Sequence, residues 1–293
     1  MPEGIVAFLD IVIGGLLMGG IYALFAMGLS LQYGVARVLN IAHGEFVMLG
    51  AFATFTLYTA FGINPLLTLV IVGPIIFVIG ALIHRTLFTR LRLSAPNPDA
   101  YEASSLLASF GLLYIIQDLA LLGWGADIRG YAYLSFGVDL GGGVIFTANR
   151  LVTLGFAIGL GLIFYFFLAR SRTGKAIRAA AQSPKMAGLV GVNINFVLAL
   201  CFGLGALMAA LSGSLISIMH PINPTMGMQY TIIAIIIIVL GGMGSIPGSF
   251  VGGIILGIIG TLVTHYEPSL SLAAYYLIFM VLLLVRPKGI FGK

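Results

Sequence analysis

The polar residues best placed to do chemistry in the first half of the chain lie in GVARVLNIAHGEFVMLG, residues 34 to 50. Arg37, Asn40, His43 and Glu45 fall close together there, and Glu45 runs straight into FVMLGAF. An ionisable group at the edge of so apolar a run is expensive to desolvate, and membrane proteins keep such groups mainly along solute or ion pathways. Asn40, His43 and Glu45 are therefore candidates to border a translocation pathway, where water or a polar partner reaches the carboxylate. The alternative is a solvated turn leading into an apolar helix. His43 and Glu45 make no metal site, because two ligands two residues apart with no third nearby cannot supply a tetrahedral set. Further along, HPINPTMGMQY at 220 to 230 contains two prolines that cannot continue a helix. Its Asn223, Gln229 and Tyr230 are candidates to line a substrate entrance, with a plain connecting loop as the equal alternative.

The segment ARSRTGKAIRAAAQSPKMAGLVGVN, residues 169 to 193, carries Arg170, Arg172, Lys175, Arg178 and Lys185 and no acid. Within it Ser183 and Pro184 read as an N-cap and first helical position, KMAGLV supplies about two turns, and Gly191 can stop the helix. A short helix outside the membrane with Met186, Leu189 and Val190 apolar needs a cover, either a docked protein or the lipid interface. TGKA at 173 to 176 resembles the end of a phosphate loop, but the first glycine is missing and Ala176 stands where Ser or Thr must reach magnesium. Any ATP hydrolysis must then come from another subunit. No compact Ser/His/Asp or His/Cys grouping suggests an intramembrane enzyme.

The elements that hold these residues follow from composition. Of 293 residues, 60% are hydrophobic and 8% charged, against about 25% charged in a soluble domain. A water-soluble fold is excluded. Apolar stretches at roughly 8 to 30, 41 to 60, 66 to 88, 103 to 123, 150 to 169, 196 to 219, 229 to 243, 249 to 265 and 270 to 286 predict nine membrane spans, within a range of eight to ten. IIAIIIIVL at 232 to 240 is continuously apolar where a barrel strand would alternate, so the fold class is all-α, a polytopic membrane helix bundle forming one transmembrane domain over 1–293. Spans seven and eight are short and joined by GGMGSIPG, so they form either a hairpin or one broken element. An N-out, C-in orientation puts Arg37, Arg85, Arg90, Arg92, the 170–185 cluster, Arg286, Lys288 and Lys293 inside and only Arg129 and Arg150 outside.

That distribution explains the net charge of +5 better than nucleic acid, for which there is no basic face. The single cysteine, Cys201, excludes an intrachain disulfide. No Lys or Arg precedes the first apolar stretch, so it lacks the n-region of a signal peptide and is expected to stay in the mature protein. Small-xxx-small spacings at Gly15/Gly19, Gly155/Gly159, Gly248/Gly252 and Gly253/Gly257 read as ordinary helix packing. Apart from Glu45 and Asp118, which reads with Gln117 as an interfacial pair, no charge lies deep in a predicted span. The conduit should therefore be mostly apolar and bind its solute weakly.

Four stretches in order, VLNIAHGEFVMLGAF at 38–52, SRTGKAIRAAAQSPKMAGLVGVN at 171–193, INPTMGMQYTIIAIIIIVLGGMGSIPGSFVGGIILG at 222–257 and VRPKGIFGK at 285–293, resemble the LivH-type permease of branched-chain amino acid ABC importers. The resemblance implies a type II ABC importer-like permease in the bacterial inner membrane. It would pair with a LivM-like second permease above LivG- and LivF-like ATPase subunits and below a periplasmic LivK-like binding protein. ATP and magnesium would sit on the partner subunits, with no cofactor in this chain and no enzyme activity of its own. The resemblance also identifies the helix at Ser183 to Val190 as the coupling helix. Arg178, Ser183, Pro184, Lys185, Met186, Gly188 and Leu189 then become the ATPase-coupling residues. Residues 124 to 149 do not match the family closely, which leaves the solute open between leucine, isoleucine and valine and the urea, amides or aromatic acids of related importers. A secondary transporter or channel for a small neutral solute is the competing class. Only a subunit that docks on a separate motor has a use for an exposed, acid-free helix.

Overall fold

A computed structural model describes residues 3–139, 145–286 and 288–291. Part of the 124–149 segment and of the terminal VRPKGIFGK stretch, including Lys293, thus lies outside the described residues. The helices are α1 (Glu3–Ala36), α2 (His43–Phe61), α3 (Pro65–Ile83), α4 (Thr89–Ser94), α5 (Pro98–Trp124), α6 (Ala148–Arg170), α7 (Arg172–Gln182), α8 (Pro184–Leu189), α9 (Ile194–Met219), α10 (Met226–Gly241), α11 (Ile246–Tyr266) and α12 (Ser271–Val285). A π-helical turn, His84–Phe88, joins α3 to α4. Among the described residues eight helices are long and apolar enough to cross a membrane, and α10, with 16 residues, is shorter.

Helix starts follow the local chemistry. Asn64 and Asn97 cap the backbone N–H of Leu66 (2.9 Å) and Ala100 (2.7 Å), each just before a proline at the first helical position. Asn193 caps Phe196, and Ser245 caps Gly248 ahead of Pro247. These side chains satisfy donors that the helix leaves without partners. Gly62, in the left-handed region at φ 67°, closes α2.

Spans seven and eight are a hairpin. Gly241 lies against Gly248, and Gly252 faces the Ile237 carbonyl, so α10 and α11 run antiparallel from the 242–245 turn. Helix α11 also runs antiparallel to α1, with Gly257 on Gly19, Gly253 on Ala23 and Gly15 on Ile258. Lipid supplies no hydrophobic drive for helices to associate, so these backbones approach where side chains are smallest. The packing expectation holds for Gly15/Gly19, Gly248/Gly252 and Gly253/Gly257. It fails for Gly155/Gly159, where a Cβ at either position would meet nothing within 4 Å. The core gathers around α1 and α9, whose Phe25, Leu24, Leu29, Phe202 and Leu215 are fully buried. By contrast, α12 is the outermost span, with only Tyr275 buried.

Candidate functional site

Two helices begin inside the bundle rather than at its end. Helix α1 stops at Ala36, and Arg37 turns the chain with φ 54°. Residues 38–42 then double back, so that the His43 Nε2 atom lies 2.9 Å from the Phe25 carbonyl oxygen. Phe25 is eleven residues before Ala36, about 16 Å along a helix axis. Helix α2 therefore starts well below the end of α1. Its non-helical approach is satisfied by protein. Ser109 Oγ accepts from the Ile41 N–H (3.1 Å), Asn40 Oδ1 accepts from the Ala42 N–H (3.2 Å), and the Asn40 amide donates to Gln32 Oε1 (3.3 Å). Irregular backbone at such depth survives only where protein or a wet cavity satisfies it.

Helix α10 starts at the same place. Thr231 Oγ accepts from the Gly44 N–H and donates to the Ile41 carbonyl, both at 2.8 Å. Gly44 sits so close to the Gly227 carbonyl that a Cβ there would overlap it. Two helix N-termini, each with unpaired N–H groups and a partial positive charge, thus converge, and the Glu45 side chain lies between them against Gly227. Glu45 has no exposed surface, and neither carboxylate oxygen has a hydrogen-bond partner among the described residues. Asn40 and His43 are equally buried, and His43 Nδ1 is unpartnered. The expectation that water or a polar partner reaches Glu45 is corrected here: in this conformation Gly227 and the ends of two helices enclose it. The pull of the helix ends explains why an acid is found there.

The other candidates lie on α10 and in the loop before it. Asn223 folds onto its own loop, its Oδ1 accepting from the Thr225 N–H (3.0 Å) and hydroxyl (2.9 Å). Gln229 is exposed, while Tyr230 is half-buried with its ring edge-on to Phe25 at 6.0 Å. Asn223 therefore does not join the Glu45 cluster, whereas Tyr230 packs one residue from it. Above them the poorly matched segment forms a cover: β1 (Gly137–Asp139) pairs antiparallel with β2 (Ile145–Thr147), and Arg129 pairs with Ile222 through two backbone bonds. Tyr131 bonds Ser217 (3.0 Å) and packs on Tyr58, and burial pushes its hydroxyl up to about 12. A strand pair of three residues a side left no usable pattern in the sequence.

At the opposite end of α1, the 170–193 segment folds as α7 and α8. Ser183 caps the Met186 N–H (3.3 Å), Pro184 is the first helical residue, and Gly191 ends the turn at φ 87°. Ala187 is buried against α9, while Met186, Leu189 and Val190 are 63%, 76% and 79% exposed, leaving an apolar face uncovered. Lys185 and Gly188 are exposed beside it. Arg178 points elsewhere: its guanidinium donates to the Leu168 carbonyl at the C-terminal end of α6, where a cation is favourable. It ties the segment to α6.

The fold and these two sites define a polytopic membrane permease with broken helices at its core and an exposed helix at one end. The family model described as "Branched-chain amino acid transport system / permease component" matches residues 11–286, and the chain belongs to that family. It is a transport permease component, not an enzyme. It is 32% identical to the high-affinity branched-chain amino acid transport system permease protein BraD of Pseudomonas aeruginosa, over 100% of this chain and 98% of that protein. Identity is 33%, with the same coverage, to the high-affinity branched-chain amino acid transport system permease protein LivH of Salmonella typhimurium. It is 27% to the probable branched-chain amino acid transport permease protein LivH of Methanocaldococcus jannaschii, over 95% and 91%.

Proposed function

We propose that this chain is the LivH-type permease of an ABC importer that carries leucine, isoleucine and valine across the bacterial inner membrane. A LivM-like permease pairs with it, LivG- and LivF-like ATPases carry the ATP and magnesium, and a LivK-like protein delivers the solute. The observation that carries this reading is the capped α8 helix, whose bare apolar face beside Lys185 and free of acids suits a motor subunit. Ser183, Pro184, Lys185, Met186, Gly188 and Leu189 form the contact, and Arg178 passes its movement to α6. Asn40, His43 and Glu45 are the internal part of the pathway, closed in this conformation, and Asn223 in the loop before α10, with Gln229 and Tyr230 on α10, borders it further along. The α8 end faces the cytoplasm.

Co-purification and reconstitution test this. The tagged chain should bring down two ATPases and a second permease, and proteoliposomes should accumulate labelled leucine only with ATP and the binding protein. Uptake driven by an ion gradient without ATP would favour the secondary-transporter class. Stimulation by urea, an amide or an aromatic acid instead of leucine would keep the class and change the solute.

A further inference from the structure

A cavity of about 300 Å³ opens at the end of the bundle opposite α8, at the lower end of the range of small-molecule pockets, about 300–1,000 Å³. Its rim carries opposite charges from distant parts of the chain: Asp10 on α1 and Arg150 in the first turn of α6, 3.7 Å apart and each about half exposed. That separation is longer than a tight charge-assisted hydrogen bond, and an exposed ion pair contributes little on its own, so a ligand can replace the contact. His220 stands on the same rim, crowded by the cavity wall although an edge stays exposed. That crowding, with Arg150 nearby, holds its imidazole below the usual histidine range. Below the rim, Leu17, Met18 and Met219 provide an apolar wall. The floor is the buried pair Tyr22 and Tyr275, hydroxyls 3.3 Å apart. Tyr22 packs edge-on to Phe25 at 5.6 Å, and the Phe25 carbonyl is the one that His43 meets. The cavity therefore ends one side chain from the broken-helix junction.

We infer that this cavity is a low-affinity acceptor site for a zwitterionic α-amino acid with an apolar side chain, the solute's carboxylate on Arg150, its ammonium on Asp10 and its side chain against Leu17, Met18 and Met219. The inference rests on the function proposed above and adds a place where the solute waits. Arg suits a carboxylate because its guanidinium donates two parallel bonds. One charge of each sign, above an apolar wall, matches an amino acid better than urea or an amide, which carry no charge. Weak binding is what a relay needs, since the solute must leave again.

The test uses the assembled complex in proteoliposomes with Thr264→Cys, on the cavity wall, as the reporter; the native Cys201 is fully buried and silent. Leucine at on the order of 10 mM, enough to fill a millimolar site, should slow maleimide labelling of position 264 several-fold without binding protein. The probes 4-methylpentanoate, lacking the ammonium, and 3-methylbutylamine, lacking the carboxylate, should not. Arg150→Gln and Asp10→Asn should each abolish protection and lower ATP-driven leucine uptake about tenfold, while capture of the binding protein stays unchanged. The double exchange Asp10→Arg with Arg150→Asp should fail to restore uptake.

Full uptake in that exchange would make the pair a structural tie and overturn the site. Weakened capture of the binding protein by the single variants, with leucine protection intact, would make the rim a protein-docking surface and overturn it equally. So would protection that appears only in liposomes containing phosphatidylethanolamine and is independent of leucine, because the occupant would then be a lipid headgroup. These failures leave the proposed function standing. A wild-type complex that takes up no leucine with ATP removes the proposed function instead.

Discussion

The Glu45 carboxyl is enclosed by protein on every side and hydrogen-bonded to none of it among the described residues, an arrangement that costs stability. Replacing the carboxyl by the isosteric amide removes its capacity to ionise without changing the shape. Glu45→Gln should therefore leave the thermal midpoint of the solubilised complex unchanged or raise it. Leucine uptake should fall at least about tenfold, on the order of 1.4 kcal/mol in the rate-limiting barrier, because the open junction loses its acid. Unaltered uptake would take Glu45 off the pathway. Gly44 offers the opposite test, since a methyl group there runs into the Gly227 backbone, which cannot rotate away. Gly44→Ala should cost about 1–3 kcal/mol by overpacking and lower the yield of assembled complex, measured by gel filtration. Gly188→Ala, with only Ile194 nearby at 3.9 Å, should not. The identity of Glu45 as unusual was legible because charge beside FVMLGAF stands out in one dimension. Its neighbour Gly227 was not, because nothing local links residues 182 positions apart. The Asp10–Arg150 pair was hidden for the same reason.

Elements fared better where their signals are local. Ser183, Pro184 and Gly191 specify the start and stop of α8 by backbone chemistry within nine residues, and the structure follows them closely. The same is true of the Asn-Pro starts of α3 and α5. The hairpin of α10 and α11 was ambiguous because GGMGSIPG can either turn or merely kink, and only the packing of Gly241 on Gly248 decides. The doubling back at 37–42 was missed in depth: a non-glycine residue at φ 54° and a loop whose donors are met by Ser109 and Asn40 look like any polar turn in sequence. The exposed α8 face yields a clear test. Gly188→Asp or Leu189→Lys puts a charge on the apolar surface while the buried Ala187 still anchors the helix. Each should preserve insertion and pairing of the permeases but reduce solute-stimulated ATP hydrolysis and uptake to near background. Normal stimulation in either variant would show that α8 is not the coupling contact. Sensitivity confined to Arg172 and Lys175 would point to lipid instead.

The two ends of the whole molecule differ in charge, and that difference fixes its expected orientation. Arg37, Arg92 and Pro184 share one cavity, Arg178 reaches the end of α6 beside them, and Gly289 packs on Val239 and Gly242, so Arg286 and Lys288 lie at that end too. Arg129 and Arg150 lie at the other, with Ile222 and His220. Basic residues stay on the side from which a membrane protein is inserted, so the α8 end should face the cytoplasm and the Asp10 end the outside. The buried Cys201 makes the wild-type chain a blank for thiol labelling. In intact cells an impermeant maleimide should label a cysteine at exposed Asp127 or Ser269, and should label Lys185→Cys only after the membrane is opened. The reverse pattern would invert the molecule, separating α8 from any cytoplasmic ATPase. The turn between α10 and α11 tests whether α10, at 16 residues, completes its crossing: Met243→Cys, at an exposed position, should label from the same side as Lys185→Cys. Labelling of position 243 from the outside, together with 269, would make α10 and α11 a re-entrant hairpin that does not cross.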